Sequence, residues 1–321
     1  MRIPKSIKTT LKIILVIAFY YGLYLLSKDH FSQLTDIDTE SIAVSWLPLI
    51  LAILLAVPNW LLEAAKWRLS LRPVEDVSFG RSLVGVLKGI PPSLFTPNRV
   101  GEAVGRPSVL QKGHRIMGAL ATAYCGFSQM PVMLLMGSVS CIYFAMMDVE
   151  LCHSTFLTQW WFILICVAGG LLLGLFFVFP QYTIPFVRNS DKSEGLRNRL
   201  RFFCQYTYRE KFGLFGVSWA RFMVYSIQNY LTIVALGIDI GFVDGLMSVF
   251  LIYTLMSFVP RPALAELGVR CSASVLVLKD FCADYSKPTI SSIILWCINL
   301  LLPAICGAML YIVDKKDKKN G

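Results

Sequence analysis

Residues 82–106 read SLVGVLKGIPPSLFTPNRVGEAVGR. The stretch opens as an apolar helix carrying Lys88, and Gly85, Gly89, Pro91, Pro92, Pro97, Gly101 and Gly105 interrupt it. It closes on Arg99, Glu102 and Arg106. Prolines and glycines break a membrane helix, and the freed backbone groups persist at membrane depth only where protein or a wet cavity satisfies them. Residues 253–278, YTLMSFVPRPALAELGVRCSASVLVL, repeat the design: an apolar run, a break at Pro260 and Pro262, then Glu266 and Arg270. In both stretches Glu precedes Arg by four positions, the favourable order on one helix face. The two pairs are displaced from each other by the same 164 positions. Matched, interrupted segments of this kind predict a degenerate internal repeat with a binding site at its interface.

A lone charge at mid-bilayer costs roughly 2.5–3.5 kcal/mol on insertion scales. Partnered across the two halves, the pairs would line a polar site. The competing reading makes both segments interfacial loops, with Arg99 and Arg106 snorkelling to phosphates and each Glu paired locally. On spacing alone the two readings weigh evenly. The candidate substrate-binding residues are Lys88, Arg99, Glu102, Arg106, Glu266 and Arg270. Lys88 belongs among them because Pro91 and Pro92 follow it and glycines flank it.

The surroundings are those of a bilayer. Across 321 residues, 56% are hydrophobic and 16% charged, with a mean hydropathy of +0.62, far more apolar than a soluble chain. Candidate spans are Ile13–Leu26, Trp46–Leu62, Met117–Met147, Trp160–Pro180, Phe212–Leu236, Val243–Val259 and Pro288–Val313. No small-residue cleavage site follows Leu26, so the first is expected to be a retained span rather than a signal peptide. The fold expected is all-α: one polytopic membrane domain over residues 1–321, with about seven or eight membrane segments, two of them broken or re-entrant. Its approximate halves are 12–147 and 212–313, joined through a span at 160–180 and a basic cytoplasmic loop at 188–211.

Basic loops set the orientation. Lys66, Arg68, Arg72 and Arg81 mark an inside loop, as do the seven Lys and Arg of 188–211 and the tail Lys315, Lys316, Lys318 and Lys319. Both termini are expected in the cytoplasm. The net charge of +10 points to anionic headgroups rather than nucleic acid. Arg221 stands in a strong span near its cytoplasmic end, a position that favours snorkelling over a role in a cavity. Gly170 to Gly174 satisfies GxxxG, a weak indication of a homo-oligomer.

Catalytic signals are sparse. The nine cysteines form no CxxC pair and read as small packing residues. His30, His114 and His153 are scattered, and no HExxH, Walker A or GxSxG sequence occurs. A transporter-like protein with no metal or cofactor is favoured over an enzyme.

Lys66-Trp67-Arg68-Leu69, Thr96-Pro97-Asn98-Arg99-Val100-Gly101-Glu102 with Arg106, and Ala265-Glu266-Leu267-Gly268-Val269-Arg270 resemble the signature stretches of the lysylphosphatidylglycerol synthase transmembrane-region family, which are flippase-like bacterial membrane proteins. Two positions depart from that pattern: Gly105 stands where many members carry the arginine, and Cys271 where they carry a glutamate after Gly-Val-Arg. Bifunctional members add a soluble aminoacyltransferase domain. Because the sequence reaches Gly321 soon after the last span, the expectation is the translocating part without the synthase. The resemblance thus implies a phospholipid or lipid-linked anionic headgroup translocase of the bacterial inner membrane, which can work beside a separately encoded envelope enzyme. The rival readings are an intramembrane transferase on a lipid-linked substrate and a non-catalytic scaffold for an envelope-lipid synthase.

Overall fold

The computed structural model describes residues 44–94, 96, 99–147, 159–182, 201–259 and 265–320, and all regular structure among them is helical. The expected first span at Ile13–Leu26, most of the basic linker, and Pro97, Pro260, Arg261 and Pro262 lie outside the described residues. We number the helices α1 (Trp46–Leu54), α2 (Ala56–Ser70), α3 (Phe79–Ser93), α4 (Glu102–Gly105), α5 (Arg115–Phe127), α6 (Gln129–Met146), α7 (Trp160–Val178), α8 (Tyr208–Ala235), α9 (Phe242–Phe258), α10 (Ala265–Leu278), α11 (Ser286–Trp296) and α12 (Leu302–Asn320).

Four helical stretches are long and apolar enough to cross a membrane: Trp46–Ser70, Lys112–Met146, Trp160–Val178 and Ser286–Val313. Three of them carry an interruption just before a proline. α1 gives way to α2 at Leu55 ahead of Pro58, α5 to α6 at Ser128 ahead of Pro131, and α11 passes through a π-turn at Cys297–Leu301 ahead of Pro303. Proline has no N–H for the carbonyl one turn earlier, so the helix re-forms its ladder there with a local change of pitch. Large apolar side chains cover the outside, among them Trp160, Leu164, Leu172 and Phe176 of α7 and Met309 and Ile312 of α12. Charged and amide groups are gathered inside, the reverse of a soluble protein. The class is that of an α-helical membrane protein.

α8 is the axle. Its 28 residues reach about 42 Å at 1.5 Å per residue. A capping box between Thr207 and Glu210 starts it. It packs against α1, α2, α6, α7, α9 and α11. Ser218, Arg221, Tyr225, Gln228 and Thr232 recur every three or four positions, which puts a polar stripe on one face of this helix. That stripe lowers its hydropathy, and the helix over the expected span Phe212–Leu236 is not among the four stretches apolar enough to cross.

Both interrupted stretches adopt a helix, a break, and a second helix. α3 ends at Ser93 and α4 starts on Glu102; α9 ends at Phe258 and α10 starts one residue before Glu266. At 15 and 17 residues, α3 and α9 fall short of the roughly 20 needed to cross. Each is buttressed by a long helix from the other half of the chain. α12 lies on α3 with Gly307 against the Leu87 carbonyl, and α6 lies on α9 with Gly137 against Thr254. A methyl group at either glycine would overlap its neighbour, so the close approach depends on their having none.

The candidate site is a charged cavity where the two broken segments meet

A cavity of about 450 Å³ opens among α2, α3, α6, α8, α9, the π-turn and the two broken segments. Its wall holds Arg99, Glu102 and Arg106 from the first segment and Glu266 and Arg270 from the second. Five of the six residues expected from sequence are therefore brought together. Lys88, the sixth, is not part of that wall. It is buried in α3 with its ammonium 5.6 Å from the centre of the Tyr311 ring, and its carbonyl accepts a hydrogen bond from the Tyr311 hydroxyl. Its chemistry ties α3 to α12.

The charges form one connected chain. Glu63 of α2 accepts from Arg106 at 2.7 Å and lies 3.1 Å from both Lys66 and the Arg221 Nε. Arg106 also bonds Glu102 at 2.5 Å, one helical turn before it. Glu102 faces Arg99 at 3.7 Å, and Arg99 crosses to Glu266 at 3.5 Å. Glu266 then meets Arg270 at 3.6 Å, again one turn apart. Arg99 is thus the link between the two segments. Its backbone occupies the left-handed region at φ 57°, which costs a residue with a Cβ about 1–2 kcal/mol. Such conformations persist where the surroundings over-determine them.

Five cations, Lys66, Arg99, Arg106, Arg221 and Arg270, face three carboxylates, Glu63, Glu102 and Glu266. Four of those cations line the cavity with the three carboxylates, an excess of one positive charge among the described residues of the wall, and Lys66 lies behind Glu63. Arg106 and Arg270 are each 4% exposed, whereas Arg99 is 41% exposed at the side chain and stands at the mouth. The guanidinium of Arg270 rests near the Tyr225 and Tyr253 rings, 5.9 and 5.8 Å from their centres. Its Nε and Nη1, and the Nε of Arg106, have no hydrogen-bond partner among the described residues.

Amides and apolar groups complete the lining. Asn59 donates to Asn299 at 2.7 Å, Asn299 donates to Gln228 at 2.9 Å, and Gln228 donates to the Ala52 carbonyl at 2.8 Å. The π-turn that carries Asn299 adds one residue to the helical turn and swings that side chain inward. Trp60, Met130, Met133, Phe222 and Phe258 supply an apolar wall beside the charges. Among the described residues, no cluster of three or more His, Cys, Asp or Glu is placed to hold a metal ion.

Several of these residues depart from the sequence expectation. Lys66 is not a loop cation: it is 1% exposed, inside α2, bound to Glu63 and, at 3.4 Å, to Gln129 of α6. Arg221 does not snorkel; its side chain is 23% exposed and turns inward to Glu63. Glu63 itself had no place in the sequence reading. The available signal was periodic: Asn59, Glu63 and Lys66 are spaced four and three apart at the end of an apolar run, as are Arg221, Tyr225 and Gln228. Comparison with protein-family models, curated proteins and solved structures finds no match for this chain.

Proposed function

We propose that this protein is a flippase-like translocase that carries a phospholipid or lipid-linked anionic headgroup through the cavity while the acyl tails stay in the bilayer. The observation that carries the reading is the net-positive charge chain strung from Lys66 to Arg270 across both broken segments. Buried charges without partners are expensive, so a wall with one cation in excess among the described residues favours an anion in the cavity. The apolar side of the wall suits the glycerol and upper acyl carbons. Arg99, Arg106, Arg221 and Arg270 neutralise the phosphate, and Glu63, Glu102 and Glu266 hold those guanidinium groups in place.

The reciprocal packing of α12 on α3 and α6 on α9 supports an internal repeat, in which rocking of one half against the other exposes the cavity to each side in turn. The same reading places the chain in a bacterial inner membrane with seven or eight membrane segments, cytoplasmic termini and the lysylphosphatidylglycerol synthase transmembrane-region proteins as its kin. An envelope-lipid enzyme encoded elsewhere is the natural consumer or supplier of the cargo.

The test is reconstitution into vesicles with labelled phospholipids, comparing wild type, Glu102→Gln, Arg106→Ala and protein-free vesicles. Wild type should move label across the bilayer at least tenfold faster than either variant, about 1.4 kcal/mol of lost stabilisation. Equal rates in all four preparations would end the translocase reading.

A further inference from the structure

The Arg99–Glu266 contact spans a seam between two packed groups of helices. The first broken segment packs through α4 on α3 and α5, and the second packs through α10 on α9 and α11. Across the gap Arg99 reaches Glu266 at 3.5 Å, and on its own side it stays 3.7 Å from Glu102. Both separations exceed the roughly 2.7–3.2 Å of a well-made N–H···O bond. Deeper in the wall, Arg106 meets Glu63 at 2.7 Å. Arg99 is also the most exposed of the four wall cations, 41% at the side chain against 23% for Arg221 and 5% for Arg106 and Arg270.

We propose that Arg99 is an anion-operated latch: the phosphate of an entering lipid headgroup takes its guanidinium from Glu266, and the two broken segments part. The inference rests on the translocase reading. A guanidinium and a phosphate pair through two short, charge-assisted hydrogen bonds, so the exchange trades two long ion pairs for one well-made contact. The carboxylates left behind are not stranded, because Glu102 keeps Arg106 and Glu266 keeps Arg270. What is lost is the tie between the segments. The backbone also favours release. At φ 57° Arg99 holds a left-handed conformation that a residue with a Cβ adopts only under constraint, and letting go of its partners removes part of that constraint. The empty carrier therefore stays shut, and the headgroup supplies the difference in binding that any ligand-driven opening requires. A neutral lipid has nothing with which to take Arg99 and is left behind.

The experiment places bioorthogonal spin labels at Val104 and Gly268 of the full chain and measures their separation in uncharged maltoside micelles. The two positions stand 164 residues apart, the offset of the acid–base pairs, one on α4 and the other on α10. Val104 is 73% exposed and an added Cβ at Gly268 meets nothing within 4 Å, so both places accept a label. Without lipid a short separation should dominate, with a longer one at or below about 10%. Phosphatidylglycerol should raise the longer population at least about fivefold. Dioleoylglycerol, which has the tails and no phosphate, should leave it unchanged. Inorganic phosphate, which has the anion and no tails to concentrate it in the micelle, should raise it less than about twofold at the same concentration. Arg99→Gln should show the longer population without lipid and no response to it. Arg99→Lys keeps the charge and loses the planar fork, so it should stay closed and respond at higher lipid concentration.

A separation that ignores bound phosphatidylglycerol overturns the proposal, as does an Arg99→Gln variant as closed as wild type. An equal response to inorganic phosphate gives the latch to a free anion and overturns its lipid form. The transport assay above fails separately: lipid movement without parting of the segments removes the latch alone, and parting without lipid movement removes the translocase reading alone.

Discussion

Arg99 and Glu266, one from each broken segment, meet at 3.5 Å, and this contact turns two local acid–base pairs into one charge chain. Everything on the first side converges on Glu63 and Arg106, and everything on the second on Arg270. Because Arg99 is partly exposed, its pairings are screened and contribute little to stability, on the order of 0–1 kcal/mol. Its value is in where it holds the segments.

Reversing that contact provides the first prediction. Arg99→Glu faces Glu266 with a like charge and is expected to cut lipid movement at least tenfold, while Tm changes by no more than a few degrees. Glu266→Arg should be similarly inactive. The double variant Arg99→Glu/Glu266→Arg should recover a substantial part of the rate, and no recovery in vesicle transport would show that the pair does not act as a unit.

Glu63 and Glu102 should differ sharply in stability. Glu63 holds Arg106, Lys66 and Arg221 together in the interior, and Glu63→Gln takes the carboxylate from Lys66 and Arg221 and leaves Arg106 with Glu102. Loss of about 3–5 kcal/mol is expected, the usual consequence of removing one partner from a buried pair. Glu102→Gln leaves Arg106 still bound to Glu63 and should cost less than half of that. Thermal unfolding in detergent ranks the two, and equal losses would contradict the hub assigned to Glu63.

The close helix contacts make a steric prediction. Gly307→Ala drives a methyl group into the Leu87 carbonyl and should destabilise by about 1–3 kcal/mol. Gly137→Ala meets Thr254 and should do the same. Gly126 and Gly216, also helical, have nothing within 4 Å of an added Cβ. Alanine there should leave stability unchanged or raise it by up to about 1 kcal/mol. Unfolding temperatures of the four variants decide the matter.

A pH prediction comes from the loop between α2 and α3. Burial raises the Glu75 carboxyl, but hydrogen bonds from His114, the Gln111 N–H and Arg81, with the Arg81 charge, outweigh it and hold the group below its ordinary 4.5. His114 Nδ1 lies 3.0 Å and Arg81 2.9 Å from that carboxylate. A carboxyl depressed on folding adds stability above its unfolded value and loses it as pH falls through its folded value. Glu75→Gln should therefore unfold at a lower temperature than wild type at pH 7, with the gap closing once pH drops below about 4.5. A gap of constant size across that range would mean the carboxylate charge is not what ties Glu75 to this loop.

The sequence by itself determined the solvent and the kind of secondary structure. Long apolar runs with few charges have few stable forms other than membrane helices, and Trp46–Ser70, Trp160–Val178 and Ser286–Val313 are such runs. It also determined that Glu102 with Arg106, and Glu266 with Arg270, share a helix face, because a spacing of four is a property of the helix and needs no partner. Which groups stand opposite those faces is not a local property. Lys88 carries the same charge and a more suggestive setting than Arg221, yet α12 claims it while α8 turns Arg221 onto Glu63. Those outcomes follow from how α8, α12 and the π-turn pack, through glycine contacts and proline interruptions between residues far apart in the chain. Periodicity fixes the direction of a side chain about its own helix axis, and only packing fixes what that direction meets.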